Sequence, residues 1–191
     1  PPVPLISKKD KNIAIIGSGP AGLGCAHSMA MKGYNVKVYE RNPKLGGMLS
    51  YGIPSYRLSE EHLNFDIDNI KNLGVKFFPN TQIGKEIKFD SLYEENDALF
   101  VAVGLQEGAK LPRIPGHDLN GIVSGIDFLW KVRHGETLEV KKNVVVIGGG
   151  NVAIDVARSV KRLGAQFVTL VCLEKYEEMP AIRAEIKAAE E

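Results

Sequence analysis

Cysteine is scarce in this sequence, and its scarcity excludes several chemistries. Only Cys25 and Cys172 occur among 191 residues, each expected inside a buried element. They form no C-x-x-C, so the chain offers neither a redox-active disulfide nor an iron–sulfur or zinc site of its own. Long apolar runs are missing too. The longest, Ala98 to Val103, falls far below the ~18 residues that a membrane span needs. Charge of one sign is not in excess: net charge is +1 with dispersed basic residues, which argues against nucleic acid or an anionic membrane surface as partner. The opening PPVPLISKKDKN lacks a charged head followed by an apolar stretch, so it is not a secretion signal, and cytoplasm is the default compartment.

What remains is the balance of a soluble globular protein, 44% hydrophobic and 25% charged, with enough chain for one large domain or two small ones. Residues 1–11 read as a proline-rich linker, either joining a preceding domain or forming a plain terminus. The chain is organised around Ile13 to Glu40. The apolar run Ile13-Ala14-Ile15-Ile16 suits a strand buried on both faces of a parallel sheet. Gly17-Ser18-Gly19-Pro20-Ala21-Gly22 is a G-x-G-x-x-G, and helical spacing follows through Leu23, Ala26, Ala30 and Met31. Gly33 breaks the helix, and Val36, Val38 and Tyr39 open a second strand ending on Glu40.

Strand, turn, helix, strand and terminal acid in this register read as a dinucleotide site. Gly17 makes the tight turn, Gly19 lets backbone approach a diphosphate, and Gly22 lets the helix pack close to the sheet. Unpaired helix N–H groups, with roughly half a unit of positive charge from the dipole, face the diphosphate. Glu40 lies where a carboxylate accepts ribose hydroxyls.

Further along, Gly46-Gly47 can bring main chain against a flat ligand, with an ordinary surface loop as the alternative. Ser50 to Leu58 is expected to be irregular. Ser59 caps a helix with Glu60 and Glu61 in its first turn and Leu63, Ile67 and Ile70 as its buried stripe; Gly74 ends it. Val75–Phe78 and Thr81–Ile83 are expected as short strands, and Asp97–Gly104 as a second buried strand returning to the ligand crevice. Leu111-Pro112-Arg113-Ile114-Pro115-Gly116 reads as a crossover, and Ile126–Val132 as a short helix.

The opening pattern then recurs. Asn143–Ile147 is expected to be a buried strand, Gly148-Gly149-Gly150-Asn151-Val152-Ala153 is a G-x-G-x-x-A, and Val152, Val156, Val160 and Leu163 form a helical stripe. Gly164 breaks that helix, and Phe167–Cys172 is the next strand, followed by Leu173-Glu174. Two such turns in one chain point to two dinucleotides and to electron transfer between them.

GSGPAGL, GGMLSYGIPSYRL, LPRIPG, VVVIGGGNVAIDVAR and EEMPA, in this order, resemble the small subunit of glutamate synthase. The same module occurs in dihydropyrimidine dehydrogenase and bacterial ferredoxin:NAD(P) reductases. The resemblance covers the chain from about Lys11 onward. It implies an α/β fold of two Rossmann-like dinucleotide-binding units, glutathione-reductase-like and truncated at the carboxyl end. The implied domains are residues 12–110 for FAD and 126–191 for NAD(P), with 111–125 crossing between them.

Carried over by position, the resemblance assigns Gly17, Gly19, Pro20, Ala21, Glu40 and Arg41 to the FAD diphosphate and ribose. Gly47, Met48 and Leu49 would lie by the flavin, with Val103 and Gly104 in the returning segment. Gly148, Gly149, Gly150, Asn151 and Val152 would cradle the nicotinamide cofactor. The implied reaction is hydride transfer from NADH to FAD, with electrons passing on to iron–sulfur clusters in an absent domain or an electron-accepting partner subunit. Such a transfer needs no protein acid or base, so no side chain is assigned a catalytic role. A non-catalytic flavin-holding or apo scaffold is the alternative.

The family's cysteine-rich amino-terminal domain and its carboxyl-terminal glycine–aspartate segment have no counterpart here, so the chain looks like a fragment. Relatives that use NADPH place two arginines after the second strand of the nicotinamide unit. Here those positions are Leu173 and Glu174. A carboxylate accepts the 2′-hydroxyl of NAD and repels the 2′-phosphate of NADP, so NADH is expected in preference to NADPH. Lys175 and Arg183 are nearby cations that could offset this, and a solvated turn is the plain alternative for Glu174.

Four histidines (His27, His62, His117 and His134), Asp155 with Arg158, and Glu177-Glu178 are expected to be structural or solvated, Asp155 and Arg158 as an exposed helix pair. Tyr51 and Tyr56 are expected either to pack near the flavin or to be ordinary packing residues.

Overall fold

A computed structural model describes residues 7–105, 107–108 and 114–191. The expected linker's residues 1–6 and the crossover's Leu111-Pro112-Arg113 lie outside these. The chain divides into two compact units. One runs through Tyr51 and resumes over Ser55–Leu105; the other takes Gly52–Pro54 and the chain after Leu105, to Glu191.

The first unit is built on β1 (Asn12–Ile16), α1 (Pro20–Met31), β2 (Asn35–Tyr39), α2 (Met48–Tyr51), α3 (Glu60–Asn72), β3 (Lys76–Phe78), α4 (Phe89–Glu94) and β4 (Ala98–Val101). The four strands form a parallel sheet in the order β3-β2-β1-β4. Strand side chains alternate, so β1 divides its residues between two cores. Ile13 and Ile15 pack with α1 and with Leu63, Ile67 and Ile70 of α3. Ala14 and Ile16 face the other way, with Tyr39, Leu92 of α4 and Leu99.

The expected cap on α3 is in place: Ser59 Oγ accepts from His62 N at 3.2 Å. Lys11 and the Asn12 amide clasp Asp97 at 2.6 and 2.8 Å, tying the starts of β1 and β4 together. The Lys11 ammonium and the Asn12 amide beside Asp97 hold its carboxyl below the usual carboxylate range.

The second unit contains α5 (Gly125–Arg133), β5 (Asn143–Ile147), α6 (Asn151–Arg162), β6 (Phe167–Val171), a 3-10 turn (Tyr176–Glu178) and α7 (Arg183–Glu190). β5 and β6 pair in parallel over their full length. α6 is gripped from two sides: Ala153, Val156 and Val160 pack with Leu129 of α5, and Ile154 packs with Ala181 and Ile186.

Several expectations fail for identifiable reasons. Thr81–Ile83 is no strand; Ile83 makes only an isolated bridge to Ile87. The Asp97–Gly104 strand is shorter and largely exposed, because β4 is the outermost strand of its sheet and among its residues only Leu99 packs into a core. Asn143–Ile147 is likewise half exposed, with only Val146 buried, since among the described residues helices cover one face of β5–β6 alone. Val145, Ile147, Phe167 and Val171 face water from the other.

The helical stripe is displaced as well: Val152 and Leu163 are exposed. The buried arc is widened to Ala153 and Ile154 because two helices, not one, flank α6. Asp155 is buried rather than exposed, and Arg158 pairs with Glu185 of α7 at 2.7 Å. Cys25 and Cys172 are half-buried, and burial pushes the Cys25 thiol up, away from thiolate reactivity.

Ile15 is fully buried at the centre of the larger core, whereas Leu163 is 43% exposed. Ile15→Ala should therefore cost about 2–5 kcal/mol and Leu163→Ala less than about 1 kcal/mol, read as shifts of the urea unfolding midpoint.

Candidate functional site

Two glycine-lined helix starts dominate the chemistry. In the first, Gly17 has φ +102, and a Cβ there would lie 2.4 Å from the carbonyl oxygen of Ala102. The returning segment crosses directly over the turn, with the Ala102 amide donating to Ile16 O at 2.8 Å. Val103 follows and is exposed; Gly104 has φ +69. A Cβ on Gly22 would lie 1.9 Å from Gly17 O, so α1 meets the turn with no space for a methyl.

Gly19 differs from both. Nothing lies within 4 Å of where its Cβ would be. It caps α1 without any side-chain cap, and proline occupies the first helical position, so the Ala21 and Gly22 amides are the orphan donors of the first turn. Pro20 and Ala21 are exposed at this mouth.

Glu40 is 5% exposed. Its Oε2 accepts from the Ser18 amide at 3.0 Å and from Ser18 Oγ at 2.6 Å, and its Oε1 accepts from the Asn42 amide at 2.9 Å. The carboxylate thus holds the glycine turn in shape and keeps acceptor capacity on Oε1. Ser18, fully buried, was not singled out by the motif. Its Oγ and carbonyl oxygen both accept from the Gly46 amide at 3.1 Å. A serine between two motif glycines, facing a terminal acid, was the available signal.

The Gly46-Gly47 loop rests on this turn. Gly47 has φ +55, and a Cβ on it would come within 2.7 Å of Gly19 Cα. Met48 and Leu49 start α2, with Leu49 packed against the large core. Tyr51 is buried, its hydroxyl accepting from Lys44 N at 2.7 Å, and so has a packing role. Tyr56 is 37% exposed and Arg41 is exposed.

The second turn uses the same plan with different parts. Gly148 has φ +133, and Gly150, the uncapped start of α6, has nothing within 4 Å of its Cβ position. Ala153 stands at the third position with its methyl 3.5 Å from where a Gly148 Cβ would be, so this helix sits back by one methyl group. A Cβ on Gly149 would meet Glu174 Oε2 at 3.0 Å and Cys172 Cβ at 3.1 Å. Asn151 Oδ1 is occupied internally, accepting from the Ile182 amide at 2.8 Å, and Val152 is 48% exposed. Arg183 donates to the carbonyl oxygens of Tyr176, at 2.6 Å, and Glu177.

Both turns can take a diphosphate. Each offers an open glycine position at an uncapped helix start, where backbone can approach an anion and orphan amides can bond it. Among the described residues no group of three or more His, Cys, Asp or Glu side chains could hold a metal ion. None of their helices is long and apolar enough to cross a membrane.

Residues 11–191 match the family model described as "Pyridine nucleotide-disulphide oxidoreductase". The chain belongs to this family. Pyridine nucleotide-disulphide oxidoreductases similar to it include the beta subunit of the NADP(+)-dependent formate dehydrogenase of Moorella thermoacetica, 42% identical over 94% of this chain and 26% of the relative. The NAD-dependent dihydropyrimidine dehydrogenase subunit PreT of Escherichia coli O157:H7 is 39% identical over 94% of this chain and 43% of its own length. The small chain of Escherichia coli K12 glutamate synthase [NADPH] is 34% identical over 97% and 42%. This chain therefore spans less than half the length of these relatives.

Among solved structures, Mycobacterium tuberculosis FprA in complex with NADPH has a TM-score of 0.78 at 24% identity, covering 94% of this chain and 47% of that one. That likeness establishes the pyridine nucleotide-disulphide oxidoreductase fold. The similarity to the glutamate synthase small subunit that the motifs indicated is thus upheld over nearly the whole chain.

The two kinds of motif glycine should separate experimentally. Gly22→Ala should lower stability by about 1–3 kcal/mol or more, because a methyl has no room. Gly150→Ala, with open space for its methyl, should cost no more than about 1 kcal/mol, the difference between glycine and alanine at an N-cap. Thermal unfolding of the two variants checks this.

Proposed function

We propose that the chain is the nucleotide-binding part of a flavoprotein NAD(P)H oxidoreductase, with FAD at the first glycine turn and a nicotinamide dinucleotide at the second. The observation that carries the reading is the repetition of one device: an open glycine at an uncapped helix start, once at Gly19 and once at Gly150. FAD and a nicotinamide supply hydride acceptance and one-electron release, chemistry that no side chain provides.

The chain's own residues bind and orient. At the first turn, Gly17, Gly19, Pro20 and Ala21 form the diphosphate seat, Glu40 Oε1 is placed to take a ribose hydroxyl, and Arg41 flanks it. Gly47, Met48 and Leu49 form the adjoining wall, with Val103 and Gly104 on the segment that follows β4. At the second, Gly148, Gly149, Gly150 and Val152 line the seat, while Asn151 secures the backbone beside it. The names of the relatives, which are subunits or chains, support an electron-accepting partner subunit; iron–sulfur clusters in that partner are what the resemblance to the glutamate synthase small subunit implies. The paucity of cysteine supports a cytoplasmic setting.

NADH is the proposed donor. Glu174 Oε2 lies 3.0 Å from the Cβ position of Gly149, at the edge of the second turn. A carboxylate there suits a 2′-hydroxyl and opposes a 2′-phosphate; two unit charges at ~4 Å interact by about 4 kcal/mol at an effective dielectric of 20, less when solvent screens them. The names of relatives divide between NAD and NADP, so the preference rests on this side chain.

Anaerobic addition of NADH to the full-length protein should bleach the flavin band near ~450 nm; an unchanged spectrum would point to a scaffold that does no redox chemistry. Gly19→Ala should leave the fold intact and weaken FAD binding by roughly tenfold, about 1.4 kcal/mol. Glu174→Arg should move the kcat/KM preference toward NADPH, and an unmoved ratio would remove Glu174 from the account.

A further inference from the structure

Arg183 invites a simple reading as the cation that would accept a 2′-phosphate beside Glu174, and the structure points elsewhere. Its guanidinium reaches back from the first residue of α7 and donates to two backbone carbonyls, Tyr176 O at 2.6 Å and Glu177 O. It also stands 5.6 Å from the centre of the Tyr176 ring. Two donors of a planar fork are thereby committed to the 3-10 turn.

That turn is the outer part of a connection running from Cys172 to Ile182. Its far end is fastened to the glycine turn: the Ala181 amide donates to Gly149 O at 3.1 Å and the Ile182 amide to Asn151 Oδ1 at 2.8 Å. Inside the turn the Glu178 amide donates to Lys175 O at 2.9 Å. At the near end Cys172 Sγ donates to Glu174 O at 3.4 Å, and the Glu174 carboxylate comes against Gly149. Between these ends the connection is exposed except at Met179, which is half-buried against Ile154, Ala181 and Ile186. Arg183 ties its 3-10 turn to α7, as does the Tyr176 hydroxyl, which donates to Glu190 Oε2 at 3.2 Å.

We propose that Arg183 is a positioning residue for nucleotide discrimination: by clasping the Tyr176 and Glu177 carbonyls it holds the connection closed and keeps Glu174 at the second glycine turn. This rests on the reading of that turn as the nicotinamide-nucleotide seat. The two roles open to Arg183 have opposite signs. A clasp holds the carboxylate that rejects a 2′-phosphate, so its loss relaxes discrimination. A direct phosphate ligand favours the 2′-phosphate, so its loss sharpens discrimination.

The test is calorimetric titration of the full-length protein with ADP-ribose and with ADP-ribose 2′-phosphate. Arg183→Ala should lower the affinity ratio in favour of ADP-ribose by roughly three- to fivefold. Arg183→Lys, which keeps the charge and loses the fork, should lower it nearly as far. Hydrogen exchange at the Glu178 amide should quicken in both variants while the amides of α6 keep their protection, which separates a loosened connection from a damaged unit.

An unchanged ratio, or one that rises because the 2′-phosphate ligand weakens, overturns the proposal, as does full retention by Arg183→Lys. If the wild-type protein binds neither nucleotide, the reading of the seat falls and the inference with it. Failure of the inference alone leaves wild-type discrimination intact.

Discussion

The first unit depends on a contact that no side chain could enter. A Cβ on Gly22 would lie 1.9 Å from Gly17 O, and one on Gly17 would lie 2.4 Å from Ala102 O. Helix, turn and the segment that follows β4 are therefore stacked at backbone separation. A further layer follows on top, where the Gly46 amide bonds Ser18 and Gly47 sits over Gly19. Where main chain packs on main chain, its polar groups must be satisfied locally. Buried Ser18 and Glu40 meet that demand: one carboxylate and one hydroxyl bond the amides of Ser18, Asn42 and Gly46.

The second unit reaches a related turn by looser means. Its third position carries a methyl, Ala153, and the space at Gly149 is filled by Cys172 and Glu174 from the end of β6. Shape is maintained by two amide latches, Ala181 to Gly149 and Ile182 to Asn151, and by the Arg183 clasp. A turn held by side chains can change its neighbours by mutation more readily than one held by backbone packing. That contrast fits the proposal that cofactor choice at this turn is read from one carboxylate.

Legibility in the sequence follows the same division. The strand–turn–helix–strand units, the Ser59 cap and the Leu63–Ile67–Ile70 stripe could be read because each rests on local spacing and a single buried face. Burial of Asn143–Ile147 and Asp97–Gly104 was misjudged because an apolar run reports composition, whereas burial depends on what covers the strand. The stripe on α6 was displaced for a similar reason: α5 and α7 share the helix, and spacing cannot announce a second neighbour. Asp155 and Arg158 looked like an exposed pair at helical spacing, yet Asp155 is buried and Arg158 also bonds Glu185, 27 residues on. Among the candidate site residues, the conformations of Gly17 and Gly148 were legible from the motif. The internal duties of Ser18 and Asn151 were not, since each is set by a segment distant in sequence.

The uncovered face of β5 and β6 has a thermodynamic consequence. Val145, Ile147, Phe167 and Val171 are 49–64% exposed in the folded chain, so part of their apolar surface is already hydrated before unfolding begins. The heat-capacity increment of unfolding arises mainly from newly wetted apolar area, usually about 12–15 cal/mol/K per residue. This unit gains less such area than its composition suggests. Its stability should therefore vary with temperature along a flatter curve than that of the first unit, whose β1 and β2 valines and isoleucines are hidden on both sides.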